Sequence, residues 1–451
     1  MALQPAVLSP GKVPGADWGE LYYQRSSSRS IFYTDKKVEE VSATSSGGCS
    51  ARLLCGKSTA FAVVTGVQDD AAGRALREAG RIAGVAVPLL PKSPFPFERR
   101  EVPLPLDGET LAAIDGAIRK ECPWVRQLSM SCATGTRQYA VARDDGTESV
   151  VAALRRLTFG AEVILEHDGR VESGYSSWSQ TRPGDDGFSP LDAETVVRRA
   201  LAEALGNLDA VACPTGTMPV LLSDEAGGTM IHEACGHGME ADLVFEEGSS
   251  FAGKIGQRVA SENVTIVDDA TIPGLYGSYV CDDEGTPAER TVLVENGVLK
   301  RYLTDRRCAG LYGLPLTGNG RRQSYATLPM PRMSNTFVVE GTSAQGEMLA
   351  SVKRGLYVCR MGGGEVNTTT GEFVFDVTQA YLIKDGKITK PVRGASLIGT
   401  GIEALKGIRA VGQKLHMEPG MCEKEGQSLP VTDGQPSLLI DGLVIGGTAA
   451  D

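Results

Sequence analysis

The chain has 451 residues, of which 41% are apolar and 22% are charged. These proportions are ordinary for a globular protein, and the length allows two or three domains. A net charge of −11, with no basic stripe to offset it, argues against nucleic acid as a partner. No stretch approaches the roughly 18 uninterrupted apolar residues of a membrane-spanning helix, so a membrane partner is not expected.

Residues 1–210 are predicted to form an α+β domain of antiparallel strands and helices. Helices are expected over Val67–Gly84 and after two N-cap residues, Asp107 and Asp192. Hairpins with Asp-Gly turns are expected between Gln127 and Ser173. Gly and Ser clusters separate the short strands predicted before the first helix, which are Glu20–Gln24, Ser30–Thr34, Ser50–Cys55 and Ala60–Thr65.

Residues 211–451 are predicted to form a β-rich domain that carries one metal-binding helix. Ser223 or Asp224 is the expected N-cap of that helix, Ile402–Ile408 is a late helix, and Lys414–Gln427 is expected to be a loop. The remaining periodicity favours strands. These are Pro219–Leu222, Val264–Val267, Gly277–Cys281, Arg290–Glu295, Leu299–Leu303, Thr336–Val339, Leu356–Met361, Glu372–Val377 and Gln379–Ile383.

The ten cysteines are scattered and form no C-x-x-C pair. Residues 1–14 also lack the basic and apolar segments of a signal peptide. Together these features predict a cytoplasmic protein with reduced thiols, most of them small core residues.

Histidine is scarce, with four in the chain, and two of them form the pattern H-E-x-x-x-H with Glu233 between them. Neutral imidazoles bind zinc, and a neighbouring carboxylate can take a proton from metal-activated water. His232 and His237 are therefore candidate metal ligands, and Glu233 is a candidate general base. The alternative is a helix end with two packed or solvated histidines.

The spacing of the two histidines has a structural consequence. Five residues apart, they would lie about 140° apart around an ideal α-helix and could not reach one tetrahedral ion. A π-type turn or a break in the helix is therefore predicted between His232 and His237. Gly236 makes such a distortion inexpensive.

A catalytic zinc usually has three protein ligands, so a third remains to be found. The residue chemistry leaves His167, His416, the acidic residues and the cysteines as candidates. Cys235 lies inside the motif, but its short side chain cannot easily turn back to the same ion. His416 and Cys422 lie close together in the expected C-terminal loop.

The segment Gly228–Asp242 (GTMIHEACGHGMEAD) resembles the HExxxH segment of the TldD/PmbA family of metallopeptidases, and further blocks resemble the family in the same order. They are DDEG at 282–285, TGNGRR at 317–322, PRMSNT at 331–336, RMGGG at 360–364, and GMC with GQS at 420–422 and 426–428. Cys235 departs from the pattern, since a small apolar residue is usual there. A packed side chain is its expected role.

The resemblance implies the TldD-type, HExxxH-containing branch, with Cys422 as the third ligand of one Zn²⁺. It implies a metalloprotease that hydrolyses peptides or unfolded segments, with Glu233 as general base. It also implies a homodimer, or a heterodimer with a PmbA/TldE-type chain. A zinc-dependent amidohydrolase acting on small amides and a non-catalytic partner subunit are the alternatives.

Two further polar clusters have competing interpretations. Asn319, Arg321 and Arg322 are candidates for binding substrate, although a salt-bridged surface turn is favoured. The acidic segments at 268–269 and 282–284 suggest a second cation, but solvated turns and strand ends are favoured.

Overall fold

The computed structural model describes residues 7–100, 102–183, 188–189 and 191–447. It is a mixed α and β protein with an antiparallel first sheet and a β-rich C-terminal half, as predicted for the fold class. None of the helices in these ranges combines the length and the apolar character needed to cross a lipid bilayer.

The first sheet has six antiparallel strands in the order β3-β2-β1-β4-β5-β6. Its strands are β1 Trp18–Thr34, β2 Lys37–Cys55, β3 Ser58–Thr65, β4 Val125–Arg143, β5 Val150–His167 and β6 Arg170–Pro183. The Ser- and Gly-rich segments expected to separate short strands lie instead inside β1 and β2. These strands pair along their whole length, so cross-strand partners outweigh the weak β-propensity of serine and glycine.

Three helices cover one face of this sheet: α1 Ala71–Ala83, α2 Gly108–Glu121 and α3 Ala193–Asn207. Asp107 caps α2 by accepting the Thr110 N–H at 2.9 Å, and Asp192 caps α3 by accepting the Thr195 N–H at 3.0 Å. Both caps were predicted. The helices bury the apolar residues of the covered sheet face in two clusters, which leaves the opposite face directed at the rest of the chain.

The other strands form two larger sheets and a two-stranded one. One sheet has the order β11-β10-β9-β14-β21-β20. In the other, β15-β8-β22-β18-β16 closes into a ring because β15 also pairs with β16. The strands are β7 Val211–Ala212, β8 Gly216–Leu222, β9 Ile266–Asp269, β10 Arg290–Glu295, β11 Val298–Leu299, β12 Gly320–Arg321, β13 Met330–Pro331, β14 Asn335–Val338, β15 Arg354–Val366, β16 Glu372–Lys384, β17 Lys387–Arg393, β18 Ala395–Thr400, β19 Ile408–Val411, β20 His416–Lys424, β21 Gln427–Gln435 and β22 Leu438–Gly447.

The helices of this half are short: α4 Thr229–Ile231, α5 Arg306–Tyr312, α6 Gln345–Ala350 and α7 Gly401–Lys406. Two π-type turns, His232–Gly236 and Leu243–Gly248, and two 3-10 turns, Asp224–Ala226 and His237–Met239, complete the helical segments of the described chain. The largest apolar cluster lies between the two larger sheets and includes the turn that carries the histidines.

Several predicted boundaries are wrong. Lys414–Gln427 is not a loop, because nine residues of it form β20 against β21. Ser223 caps only the isolated 3-10 turn, and α4 begins after Gly228 without a side-chain cap. Gly277–Cys281 contains no strand. Here loop backbone is held by side chains such as Thr432, which accepts the Gly277 N–H at 3.2 Å.

A buried ion-pair network joins the uncovered face of the first sheet to the C-terminal half. Its members are Glu20, Arg52, Arg137, Asp283, Glu284 and Arg322. Arg137 donates to Asp283 at 2.7 Å, and Arg52 lies between Glu20 and Glu284. The division of the chain into two domains near residue 210 stays a prediction. These ion pairs connect residues 18–143, before that position, with residues 283–322, after it.

Candidate metal centre

The two motif histidines lie on a π-type turn, as the spacing predicted. The His237 N–H donates to the His232 carbonyl, five residues back. This extra residue in the turn brings the two imidazoles onto the same side, with ring centroids 5.0 Å apart and planes at 88°. Gly236 permits the turn to pack, because a Cβ at that position would collide with the Met333 sulfur.

Three donor atoms converge beside this turn. The Nε2 atoms of His232 and His237 lie 3.1 and 3.3 Å from the Sγ of Cys422. The three ligand atoms lie within 4.8 Å of one another, and all three residues are buried. Cys422 reaches them from β20, 185 residues further along the chain than His237.

Each histidine is oriented by a carboxylate on its other ring nitrogen. His232 Nδ1 lies 2.7 Å from Asp433 on β21, and His237 Nδ1 lies 2.9 Å from Glu240. Since a carboxylate only accepts hydrogen bonds, both Nδ1 atoms carry the proton and donate. The Nε2 lone pairs are then free to face Cys422, an arrangement common around metal-bound histidines.

Further contacts fix the second carboxylate. Lys424 Nζ donates to Glu240 at 2.9 Å and to Asp242 at 2.8 Å, and the Met333 N–H donates to Glu240 at 3.2 Å. Burial raises the pKa of Glu240, but Lys424 and His237 outweigh it and hold the pKa well below its usual range. Glu240 is therefore a fixed negative charge behind His237.

The three donors perturb one another strongly. Burial raises the pKa of Cys422, yet the facing imidazoles of His232 and His237 lower it to about 5. Burial lowers the pKa of His237, but Glu240 and Cys422 raise it to about 9. In His232 burial is likewise outweighed by Asp433 and Cys422, and the pKa lies well above its usual value.

Glu233 lies at the edge of this group. Its Oε2 atom is 3.9 Å from His237 Nε2, and its side chain is 27% exposed while the histidines are almost fully buried. Burial raises its pKa, and the two histidines oppose that rise. Glu233 is therefore the member of the motif that a molecule from solvent can reach.

The strand that carries Cys422 is held by an arginine that the sequence analysis did not single out. Arg332 is fully buried and donates to the carbonyl of Cys422 at 2.6 Å and to that of Gln427 at 3.1 Å. It therefore spans both ends of the hairpin turn between β20 and β21. The hairpin that Arg332 holds therefore carries both the Cys422 thiol, on β20, and Asp433, the residue on β21 that orients His232.

The other third-ligand candidates lie outside the cluster. His167 stacks on Trp124 with ring centroids 3.8 Å apart. His416 Nε2 lies 2.7 Å from Glu418. Cys235 is buried in the apolar core, where desolvation raises its pKa, and is the packed side chain expected.

The prediction that the acidic segments are solvated is wrong. Asp268 is buried and accepts from Ser334, Thr336 and Asn319. Asp282 accepts three backbone N–H groups, while Asp283 belongs to the ion-pair network. The carboxylates of these residues accept hydrogen bonds from donors within the protein and do not form a second cation site.

The prediction of a surface turn at residues 317–322 is also wrong, because these residues are buried. Arg321 donates to the carbonyls of Met333 and Pro430, and Arg322 pairs with Glu20. The Asn319 amide donates to Asp268 at 2.8 Å. Their contacts place them in the frame around the site rather than on a surface open to substrate.

Sequence reasoning missed the residues that orient the ligands. Glu240 carries a weak signal, since it lies three residues after His237, one turn further along. Asp433, Lys424 and Arg332 carry none, because they come from distant strands and loops that only the fold brings to the motif.

The donor set fits a zinc ion. Two imidazole nitrogens and a thiolate are ligands that zinc accepts, and three protein ligands are the number found at catalytic zinc sites. The lowered pKa of Cys422, which favours its negatively charged thiolate, and the Nδ1–carboxylate contacts of both histidines also suit a cation between the three donors. Magnesium and calcium prefer oxygen ligands and suit the set poorly.

Comparison with known proteins gives two family matches. Residues 215–447 match the PmbA/TldA metallopeptidase C-terminal domain, and residues 19–83 match PmbA/TldA metallopeptidase domain 1.

The chain is also similar to whole relatives. It is 40% identical to the metalloprotease TldD homolog of Haemophilus influenzae, over 96% of this chain and 93% of the relative. It is 32% identical to the zinc metalloprotease TldD homolog of Saccharolobus solfataricus, over 63% and 64%. The crystal structure of TldE from Thermococcus kodakarensis has the same fold, with a TM-score of 0.72 at 20% identity over 96% and 97% of the two chains.

Proposed function

Because the chain belongs to the PmbA/TldD family of metallopeptidases, we propose that it is a zinc-dependent peptidase. His232, His237 and Cys422 would hold the metal, and Glu233 would act as the catalytic acid and base. The observation that carries the proposal is the convergence of the three donor atoms within 4.8 Å, with the Glu233 carboxylate beside them.

Zinc, when bound, would supply Lewis acidity that polarises a peptide carbonyl and acidifies water. The choice of zinc is supported by the softness of the thiolate and the two imidazoles. The name of the Saccharolobus solfataricus relative, a zinc metalloprotease, agrees with it.

Glu233 would move the proton. As a base, its carboxylate accepts the proton of the attacking water, and as an acid it returns that proton to the leaving amine. The direction of its pKa shift supports both roles. Burial raises the pKa of Glu233, and a carboxylate with a raised pKa binds a proton more readily and can still give it up. Its partial exposure gives substrate access to the carboxylate.

Asp433 and Glu240 would act through the histidines. Each keeps a ring proton on Nδ1 and so keeps Nε2 available as a ligand. They are positioning residues, because they contact the imidazoles and not the reacting atoms.

Peptides or unfolded segments are the proposed substrates, and a homodimer or a heterodimer with a TldE-type chain is the proposed assembly. The family and the shared fold with TldE support the pairing. A reducing compartment such as the cytoplasm is supported by the cysteines, all ten of which are unpaired thiols.

The test compares Glu233→Gln with wild type and with Glu225→Gln, a control at an exposed glutamate eight residues earlier. Zinc content and hydrolysis of a mixed peptide library are measured on each. We expect about one zinc per chain in all three, and a rate roughly a thousandfold lower in Glu233→Gln alone. Full activity in zinc-loaded Glu233→Gln would remove Glu233 from the mechanism. Hydrolysis of small amides but not peptides would favour the amidohydrolase, and absence of both zinc and hydrolysis would favour a non-catalytic partner.

A further inference from the structure

The uncovered face of the first sheet carries a dense group of hydroxyl side chains. Side chains alternate between the two faces of a strand, and directly paired residues share a face. The register of β1, β2, β4 and β5 therefore places a common set on the face opposite the helices. The set comprises Ser26, Ser28, Thr44, Ser46, Gly135, Arg137, Arg156 and Thr158.

These residues line a cavity of about 280 Å³. Tyr276 and Gln323, from the C-terminal half of the chain, complete its wall. Of the described residues that line it, none is acidic. The cavity therefore offers hydroxyl, amide and guanidinium donors with no carboxylate in its own wall, an unusual excess in a chain whose net charge is −11.

Arg156 is the charged residue of this cavity wall whose side chain keeps a buried donor without a partner, as the hydroxyls of Thr134 and Thr136 also do. Its Nε atom is buried without an acceptor, and among the described residues no carboxylate forms an ion pair with it. The other arginine of the wall, Arg137, is already paired with Asp283 at 2.7 Å. A buried donor without a partner costs stability, so Arg156 marks a place where an acceptor is missing.

The electrostatics agree with the geometry. Burial lowers the pKa of Arg156 to about 10; the positive charges of Arg137 and Arg321 lower it further, whereas Tyr276 and Asp283 oppose the decrease. The guanidinium remains protonated at neutral pH. An anion entering the cavity would therefore meet a partly buried positive charge that forms no ion pair with a carboxylate of the described residues.

The far wall of the cavity is attached to the strands of the metal centre. Gln323 accepts the Ser428 N–H at 2.8 Å, and its own N–H donates to Gln427 at 2.9 Å. Next to Tyr276, the Gly277 N–H donates to Thr432, the neighbour of Asp433. Both contacts are with β21, the strand whose Asp433 orients His232, so the cavity and the metal centre share a structural element.

We propose that this cavity is an oxyanion-binding site in which Arg156 is the anchoring charge and the surrounding hydroxyls donate further hydrogen bonds. Its ligand is a carboxylate, phosphate or sulfate group. The group comes either from a free inorganic anion or from the terminal carboxylate of a peptide. Binding at this site does not require the proposed hydrolysis, so the two proposals fail separately.

The first experiment titrates phosphate and sulfate into the zinc-loaded protein by calorimetry at constant ionic strength. Arg156→Gln is compared with wild type and with Arg155→Gln, a matched control on the opposite face of the same strand. We expect millimolar binding to wild type and the control, and about tenfold or greater weakening in Arg156→Gln. An anion held only by the metal would bind all three equally, which would overturn the proposal.

Two further measurements guard against a misfolded variant and identify the source of the anion. Selenate soaked into wild-type crystals should give an anomalous peak beside the Arg156 guanidinium; a peak elsewhere only would refute the site. A peptide with a free C terminus is then competed against phosphate beside its C-terminal amide. Displacement by the acid alone identifies a peptide carboxylate, and displacement by neither identifies a free anion. Absence of any anion binding to wild type up to about 10 mM would also overturn the proposal.

Discussion

Two buried polar clusters in this protein are built on opposite principles. In the ion-pair network each charge faces its opposite, as where Arg137 meets Asp283 at 2.7 Å. In the candidate metal centre three electron-pair donors face one another, and the compensating carboxylates Asp433 and Glu240 lie behind the histidines. The first cluster pairs its opposite charges within the protein, whereas the second has its lone pairs directed inward at a common point.

The comparison teaches how to read acidic and basic motifs in a sequence. The segment at 282–284 and the arginines at 321–322 were candidates for binding a cation or a substrate, but the protein itself supplies their partners. Asp283 pairs with Arg137, Arg322 pairs with Glu20, and Arg321 donates to backbone carbonyls. Histidine and cysteine cannot neutralise one another as fully as arginine and carboxylate do. Their convergence in a buried place is therefore a stronger indication of a bound ion than a cluster of acids is.

The largest effect that distinguishes the clusters is expected from Cys422→Ser. A serine hydroxyl is a much poorer zinc ligand than a thiolate, so zinc affinity should fall at least about a thousandfold, or about 4 kcal/mol. Zinc affinity is measured by competition with a chromogenic chelator. Cys359→Ser, at a half-buried cysteine outside the cluster, is the control and should bind as wild type does. Equal affinities in both variants would show that the thiol is not a ligand.

Breaking the ion-pair network should change stability and leave the metal unaffected. Arg322→Met removes the cation that contacts Glu20 and leaves buried carboxylate without part of its compensation, so the free energy of unfolding should fall by about 3 kcal/mol. Denaturant titration measures it. Arg81→Met, which breaks the exposed pair with Glu78, should cost less than about 1 kcal/mol. Equal losses in the two variants would mean that burial of the network adds nothing.

A smaller effect is expected behind the histidine. Asp433→Asn keeps a side chain of the same size but removes the charge that holds the His232 proton on Nδ1. Zinc affinity should fall about 10- to 100-fold. The same chelator competition measures it beside Asp441→Asn, an exposed aspartate that pairs with Arg409. Unchanged affinity in Asp433→Asn would reduce this residue to a packing role.

The smallest effect concerns Asp305, which borders the network and caps α5. Burial and the nearby Glu284 raise its pKa to about 7, while Arg52 and the cap oppose the rise. Because the folded pKa exceeds the unfolded value near 4, its protonated form favours folding. That contribution is complete below pH 4 and is lost as the pH rises through 7.

The free energy of unfolding of Asp305→Asn should therefore exceed that of wild type by about 1 kcal/mol at pH 8 and by little at pH 5. The cap itself is retained, since asparagine caps a helix as well as aspartate does. Unfolding curves at the two pH values test this. A gain that does not depend on pH would contradict the assigned ionisation.

Local signals predicted much of the secondary structure correctly. Asp107 and Asp192 cap their helices, and the Asp-Gly turns at 145–146 and 168–169 connect β4, β5 and β6 as predicted. Two of the failures share one cause. Residues 26–30 and 42–48, rich in Ser and Gly, form strands because long neighbours pair with them, and β20 forms where Pro419 and Gly420 suggest a loop, because β21 lies beside it.

By itself, the sequence determined that His232 and His237 must share a distorted turn, because a five-residue spacing cannot serve one ion on a regular helix. It also carried the family resemblance that singled out Cys422. Only the tertiary structure decided that this cysteine lies 3.1 Å from His232, that Asp433 and Glu240 orient the rings, and that donors within the protein bind the acidic segments. The physical reason is range: backbone geometry acts over a few residues, whereas donor atoms nearly two hundred residues apart meet only when the sheets that carry them have packed.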